Sequence, residues 1–409
     1  MLRLLTFSTL FPNAEQPNHG IFVENRLRHL LASEQASSEV VAPVPFFPNG
    51  SAMFGSWGRL ARVPRQEVRH GTEIYHPRYP VIPRVGMSLA PILLYRATAP
   101  FLDRLLAGGA QIDAIDAHYL YPDGVAAVWL GRRLGVPVVI TARGTDVSLI
   151  PRYRTPRRLI RGAMAGAAAL IAVSAALKAA MVELGTPAEK VTVLRNGVET
   201  AVFKPPVDRS VARAALGLTR PTLISVGHLI ERKGHHLVIE ALRDLPGWEL
   251  IVVGEGPERS RLIGLTRTLG LGDRVRLLGA RPHAELPALY GAADALVLAS
   301  SREGWANVLL ESMACGTPVV ATNIWGNPEV VQDRAAGVIV ERSAEAIAQG
   351  VRRLAAGPTD RGATRAYAER FSWDETTAGQ LALFRRVVER ARPSPGSLRE
   401  PTPPAGRER

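Results

Sequence analysis

Cysteine is nearly missing from this chain. One thiol, Cys315, stands in 409 residues, which excludes an internal disulfide and a cysteine-based metal site. That scarcity fits a reducing cytoplasm. Lysine is almost as rare: Lys178, Lys190, Lys204 and Lys233 are the four present, and arginine carries the rest of the positive charge. Aromatic residues make up only 6%. No uncharged apolar run reaches the roughly 18 residues that a membrane-crossing helix needs. The opening M-L-R-L-L-T-F-S-T-L-F-P is too short and too β-like for a signal peptide and has no cleavage pattern, so none is expected.

What is present is length, apolar content and positive charge. A chain of 409 residues exceeds one ordinary core and predicts two domains. A net charge of +13 admits nucleic acid, an anionic membrane surface or phosphorylated substrates as partners. Basic residues interleaved with aromatics are lacking, so no nucleic acid is expected. A generally arginine-rich background is the bland alternative for the charge.

Apolar runs alternate with helical patterns. Leu2–Ser8 reads as a buried strand, followed by a Pro/Asn/Gly loop ending at Gly20 and a helix over Ile21–Leu31. Val40–Pro45 is a second strand. Residues 46–90 look irregular, with a strand over Ile74–Tyr79. Helix Pro91–Leu106, strand Ile112–Ala117, helix Val125–Leu134 and strand Val136–Thr141 follow. Helix Arg157–Ala169, strand Leu170–Ser174, helix Ala175–Leu184 and strand Lys190–Leu194 close this half. After a hinge at Arg195–Arg220 the pattern restarts with strands at Thr222–Val226, Trp248–Val253, Arg274–Leu278, Asp294–Ala299, Pro318–Thr322 and Gly337–Val340. Helices are expected at His236–Leu242, Glu258–Leu269, Ala284–Gly291, Ala344–Ala355 and Trp373–Ala391. The tail 392–409 is rich in proline and is expected to be disordered. Such alternation predicts α/β domains with doubly wound parallel sheets, split as 1–200 and 201–372, with 373–391 a terminal helix crossing back to the first.

Polar residues gather at strand ends, where open α/β sheets bind ligands. Arg232 and Lys233 follow a strand and sit with Gly227 in a loop; a guanidinium fork beside a mobile ammonium suits a diphosphate, and a solvated basic turn is the alternative. Glu303 and Glu311 stand eight apart in R-E-G-W-A-N-V-L-L-E-S-M-A-C-G-T-P. Gly304 and Asn307 place the helix start between them, so Glu303 lies on the entry loop and Glu311 on the helix. Carboxylates suit vicinal hydroxyls, and the free amides of Trp305, Ala306 and Asn307 would face the same pocket. His118 ends a strand and could donate to a hydroxyl or act as acid or base. Arg152, Arg154, Arg157, Arg158 and Arg161 form a cluster without acids. It could meet anionic lipid at the inner face of the membrane or a pyrophosphate-linked acceptor, the alternative being a solvated helix face. No histidine, carboxylate and cysteine spacing makes a metal set.

Together these segments resemble the family-4 glycosyltransferases, nucleotide-sugar enzymes of the GT-B fold. E-G-W-A-N-V-L-L-E looks like the family's E-x7-E motif, and P-N-H-G-I-F-V, N-G-V-E-T-A-V-F-K-P, S-V-G-H-L-I-E-R-K-G and F-S-W fall in the expected order. The first of these is similar to a bacterial subgroup that builds cell-surface polysaccharides of teichuronic-acid and exopolysaccharide type. The resemblance implies two facing Rossmann-like domains with the active site in the cleft, retention of configuration and no bound metal or other cofactor. It implies a nucleotide-sugar donor, a glycan or polyprenyl-linked acceptor, and Arg232 and Lys233 neutralising the leaving diphosphate. It also implies Glu311 on the ribose, Glu303 and the amides after Gly304 on the sugar, Gly20 near the diphosphate and His118 near the reacting carbon. Asp146 matches an acceptor-side position, where Arg143 replaces the family's usual histidine. A non-catalytic nucleotide-sugar or glycan-binding protein on the same fold is the competing expectation.

Overall fold

The computed structural model describes residues 1–82, 86–357 and 360–392. Two parallel sheets form the two halves. In the first, the strands run in the spatial order Val191–Val193, Ala169–Ala172, Val138–Ala142, Ala114–His118, Leu2–Phe7, Ala36–Val41, Thr72–Tyr75 and Gln66–Arg69. Only the last pairs antiparallel. The second sheet runs Val275–Gly279, Glu249–Val253, Thr222–Val226, Ala295–Leu298, Val319–Thr322 and Gly337–Val340, all parallel. Its order is that of a doubly wound dinucleotide-type sheet, in which the strand sequence reverses between Thr222–Val226 and Ala295–Leu298.

The central strands Ala114–His118, Val138–Ala142, Thr222–Val226 and Glu249–Val253 are buried along their whole length. Helices cover both sheet faces, which explains why these segments are largely apolar rather than alternating. In the first sheet the order reverses between Leu2–Phe7 and Ala114–His118. Each half therefore has one crevice at the carboxyl ends of its strands, and the two crevices face each other.

The last helix, Trp373–Ala391, packs on the first half although it follows the second in sequence. Ser372 caps it by accepting from the Asp374 amide, and Asp374 and Glu375 complement its positive end. Leu381, Leu383, Phe384 and Val387 pack with Leu2, Leu4, Val139 and Ile171 on one face of the first sheet. Trp373 stacks on His29 at 5.1 Å between ring centroids.

Several elements differ from expectation. The irregular stretch 46–90 holds a helix, Gly55–Arg62, and a hairpin, Gln66–Arg69 with Thr72–Tyr75. The expected strand Ile74–Tyr79 is divided: Pro77 has no N–H for a ladder, and Arg78–Tyr79 pairs instead with Val44–Pro45 in a small separate sheet. Helices Arg209–Ala215 and Arg361–Glu369 were not expected, being short and containing two arginines each among few large apolar residues. The expected disordered tail lies, from residue 393 on, outside the described residues.

Candidate active site

The second-half wall is built at the sheet's switch point. The loop after Thr222–Val226 carries Arg232 and Lys233, and the loop after Ala295–Leu298 carries Glu303. Adjacent parallel strands bring these residues together across 70 positions of sequence. Lys233 Nζ lies 2.5 Å from Glu303 Oε1, Arg232 NH1 is 3.8 Å from Glu303 Oε2, and Ser300 Oγ donates to Glu303 at 2.7 Å. Arg232 also donates to the Arg302 carbonyl at 2.7 Å. The aliphatic stem of Lys233 packs over Gly227. Behind it, His235 accepts from or donates to Ser225 Oγ at 2.9 Å, and burial pulls its pKa down to about 4. It is neutral there at physiological pH.

Glu311 occupies a different subsite. Tyr290 donates its hydroxyl to Glu311 Oε2 at 3.0 Å, and His283 Nε2 lies 3.8 Å from Oε1. The hydrogen bond to Glu311 raises the His283 pKa. The two carboxylates of the motif thus point to separate groups of partners, because the helix begins at Asn307 and carries Glu311 about one turn beyond the loop that holds Glu303. Of the residues between them, Gly304 and Trp305 line the same cavity as Glu303, whereas Ala306 and Asn307 do not. Asn307 Oδ1 accepts instead from Asn196 in the hinge at 3.1 Å.

A cavity of about 240 Å³ lies between the halves. This is below the roughly 300–1,000 Å³ of typical ligand pockets. The halves stand close here: a Cβ on Gly304 would run into the Arg143 carbonyl, and only a hydrogen at that position allows the approach. Leu10, Phe22, Tyr119, Arg143 and Ser148 line the first-half side, and Arg232, Arg302, Glu303, Trp305 and Trp325 the other. Tyr119 and Trp325 both hold positive φ (84° and 43°), a strained backbone of the kind found at binding sites. Sequence pattern alone carried no sign of Leu10, Phe22, Tyr119, Ser148 or Trp325 as cavity residues. Their side chains are ordinary, and only the chain path brings them there.

On the first-half wall two expectations require correction. Asp146 does not line the cavity. It is wholly buried and accepts from the backbone N–H groups of Leu120 (2.8 Å), Gly144 (2.7 Å) and Arg143 (3.1 Å). It holds two strand-end loops together, and those amides would otherwise be unpaired. His118 does not reach the cavity either; it is 1% exposed. Arg143 NH2 lies 2.7 Å from its Nδ1, and Asp116 Oδ2 lies 3.3 Å from its Nε2. Because arginine only donates, Nδ1 accepts, and the ring proton sits on Nε2 toward Asp116. Burial lowers its pKa against the pull of Asp116, so the ring is neutral.

Gly20 sits at the start of helix Ile21–Ala32 with φ of 71°, and a Cβ there would strike the Leu10 carbonyl. Its role here is to let the first loop fold back so that Leu10 and Phe22 reach the cavity. Asp123, fully buried, fixes the same loop by accepting from the Thr9 amide and hydroxyl, each at 3.0 Å. Arg152, Arg154, Arg157, Arg158 and Arg161 are all exposed along helix Arg154–Gly166 and the turn before it. Among the described residues, no group of three or more His, Cys, Asp or Glu side chains is placed to hold a metal ion, and no helix is long and apolar enough to cross a membrane.

Known proteins match this arrangement. The model of Glycosyltransferase Family 4 matches residues 58–202, and that of Glycosyl transferases group 1 matches residues 208–371. D-inositol 3-phosphate glycosyltransferases of Mycobacterium tuberculosis and Mycobacterium bovis are 38% identical over 220 residues. The chain spans about half the length of the curated relatives it matches: the aligned part is 50% of this chain and 45% of theirs. Among solved structures, sucrose-phosphate synthase of Thermosynechococcus elongatus superposes with a TM-score of 0.78 at 21% identity, covering 95% of this chain and 100% of the other. HepE of Anabaena, solved with UDP and glucose, gives 0.71 at 22% identity, covering 94% and 100%. Two family models in tandem over two facing Rossmann-like halves lead to one assignment: the chain belongs to the family-4 glycosyltransferases and has the GT-B fold.

Proposed function

We propose that this protein transfers a hexose-type sugar from a nucleoside-diphosphate donor to a lipid-linked or glycan acceptor, with retention of configuration, in cell-envelope or extracellular polysaccharide synthesis. The observation that carries the proposal is the convergence of Lys233 and Arg232 on Glu303 at a Rossmann switch point. A donor diphosphate brings negative charge to that spot. It draws Lys233 away from Glu303, and the freed carboxylate accepts from sugar hydroxyls. The bond from the anomeric carbon to the diphosphate oxygen then breaks, with Lys233 and Arg232 stabilising the charge that develops on the leaving group. The acceptor hydroxyl adds from the same face, and its proton passes to the departing phosphate oxygen. Glu311, set apart with His283 and Tyr290, is the group for the ribose hydroxyls.

The HepE complexes with UDP and with UDP-glucose support a uridine donor in a similar fold, and the mycobacterial relatives' name supports a small phosphorylated acceptor. The lipid-linked alternative is supported by a surface feature of the first half. Phe46, Met53, Met87, Leu89 and Ile92 are exposed apolar residues, and helix Arg154–Gly166, which carries exposed arginines, contacts the turn at Gly86–Ser88. Exposed apolar side chains together with exposed arginines on the same half suit an anionic bilayer at the cytoplasmic face.

The test is a thermal-shift panel of UDP-, GDP- and ADP-sugars on the full chain, followed by mass analysis of lipid-linked acceptors incubated with the best donor. A stabilising donor and a product one sugar heavier are expected. Binding without any product on a broad acceptor set would favour the non-catalytic reading, and absence of all donor binding would sink both. Co-sedimentation with phosphatidylglycerol vesicles, but not with phosphatidylcholine vesicles, is the expected result for the membrane contact.

A further inference from the structure

The charges around the cavity do not balance, and the imbalance sits on the first-half wall. Arg143, Arg232 and Arg302 line it, with Lys233 adjoining, while Glu303 is the sole carboxylate in its lining. A donor diphosphate, with one charge per phosphate, answers the cations of the second-half wall. Arg143 is left over. Among the described residues no carboxylate stands within ion-pair distance of its guanidinium, whose contacts are neutral: His118 Nδ1 at 2.7 Å and Asn196 Oδ1 at 3.3 Å. Its Nε has no hydrogen-bond partner.

What lies beneath adds to the deficit. Arg26 is 1% exposed and leaves Nε and NH2 unpartnered, giving only NH1 to the Leu194 carbonyl and Asn196 Oδ1. Burial and the nearby Arg26 bring the Arg143 pKa down to about 9, which still leaves it charged at neutral pH. Asp116 and Asp146 offset the two arginines from a distance, but neither touches the Arg143 guanidinium, so a ligand anion in the cavity would supply the direct partner it lacks. The neighbouring groove agrees in sign. It shares Ser148 and Trp325 with the cavity, holds about 400 Å³ and is lined by Arg157 and Arg161 against Glu183.

We infer that Arg143 is the centre of an anion subsite for the acceptor: the acceptor carries a phosphate or carboxylate that pairs with Arg143 while its hydroxyl meets the donor sugar. This rests on the proposed function and narrows it to acidic acceptors. Arg143 is then a specificity-determining residue, and it replaces one hydrogen-bonding ring by a fixed cation.

The experiment uses the full chain saturated with whichever of UDP, GDP or ADP stabilises it most, so that the diphosphate subsite is filled. Glucose 6-phosphate, glucuronate and glucose are then titrated by calorimetry. The two acids are expected to bind at least tenfold more tightly than glucose. In Arg143→Gln that preference falls to the level of glucose, and in Arg143→Lys part of it returns, while nucleotide affinity stays within twofold in both. The lysine variant keeps the charge and stands in should the glutamine variant not fold. Equal binding of all three sugars to the wild-type complex overturns the inference, and so does a preference untouched by Arg143→Gln. A preference for UDP-glucuronate over UDP-glucose that disappears in Arg143→Gln, with glucose 6-phosphate unaffected, assigns the cation to the donor and also overturns it. Failure of every nucleotide to bind is a separate result, which removes the proposed function itself.

Discussion

The two walls of the cleft place charge in opposite ways. On the second-half wall Lys233, Arg232 and Ser300 converge on Glu303 beside an open cavity, so the charged groups are paired with each other and stay exchangeable for a ligand. On the first-half wall the acids and the imidazole turn inward. Asp146 is taken up by three backbone amides, Asp123 by Thr9, and His118 by Asp116 and Arg143. Both sets of residues follow strand ends, so position past a strand does not decide direction. For the two acids, what decides it is whether neighbouring backbone N–H groups need an acceptor.

That contrast can be broken in four places. The largest effect is expected from Lys233→Ala, which should lower kcat by about 100- to 1,000-fold, as loss of one preorganised charge-stabilising donor does. Steady-state transfer assays decide it, and a loss of only a few-fold would remove the distinction between the walls. Next, the two motif carboxylates should separate. Glu311→Gln should weaken nucleotide binding by about tenfold, or about 1.4 kcal/mol, whereas Glu303→Gln should cut turnover more than it cuts nucleotide affinity; calorimetry and kinetics on the same preparations compare them.

Asp146→Ala probes the other wall. It strands buried amides at a cost of about 2–4 kcal/mol, so Tm should fall while the folded fraction keeps its nucleotide affinity. An unchanged Tm with a raised acceptor KM would return Asp146 to the ligand-facing side. The smallest effect concerns His235. Its pKa is about 4 in the folded chain, against an ordinary value near 6.5, so the unfolded chain binds the extra proton. Stability from this group is complete above about pH 6.5 and is lost as pH falls toward 4. His235→Asn should flatten that part of the Tm–pH curve; a slope equal to the wild-type one would show that other groups cause it.

Much of the fold was legible in the residues. The long apolar runs of the central strands and the capped amphipathic pattern of Trp373–Ala391 and Ala344–Ala355 carry strong signals, and their spans agree closely with the structure. The stretch 46–90 was not legible, because its strands are two to four residues long and mostly polar. At the site, the meeting of Lys233 with Glu303 follows from strand order, which alternation predicts. The inward turn of His118 and Asp146 does not follow from any spacing, since it depends on the Arg143 and Asp116 side chains around the one and on the unpaired amides around the other. The interdomain contacts of Glu329, which accepts from the Ala175 and Ala176 amides and from Arg195, carry no sequence signal either.

The terminal helix sets a timetable for the growing chain. The first sheet is fully synthesised once Val193 has been added, yet the side chains that cover one of its faces, Leu381 through Val388, come some two hundred residues later. At roughly 5–20 residues per second, the part of that face which the last helix covers stays open for about 10–40 seconds of translation. During that interval the nascent first half presents an apolar surface to chaperones and to other nascent chains. Its final shape is a property of finished polypeptides only, and a fragment ending at residue 372 should be found in the insoluble fraction.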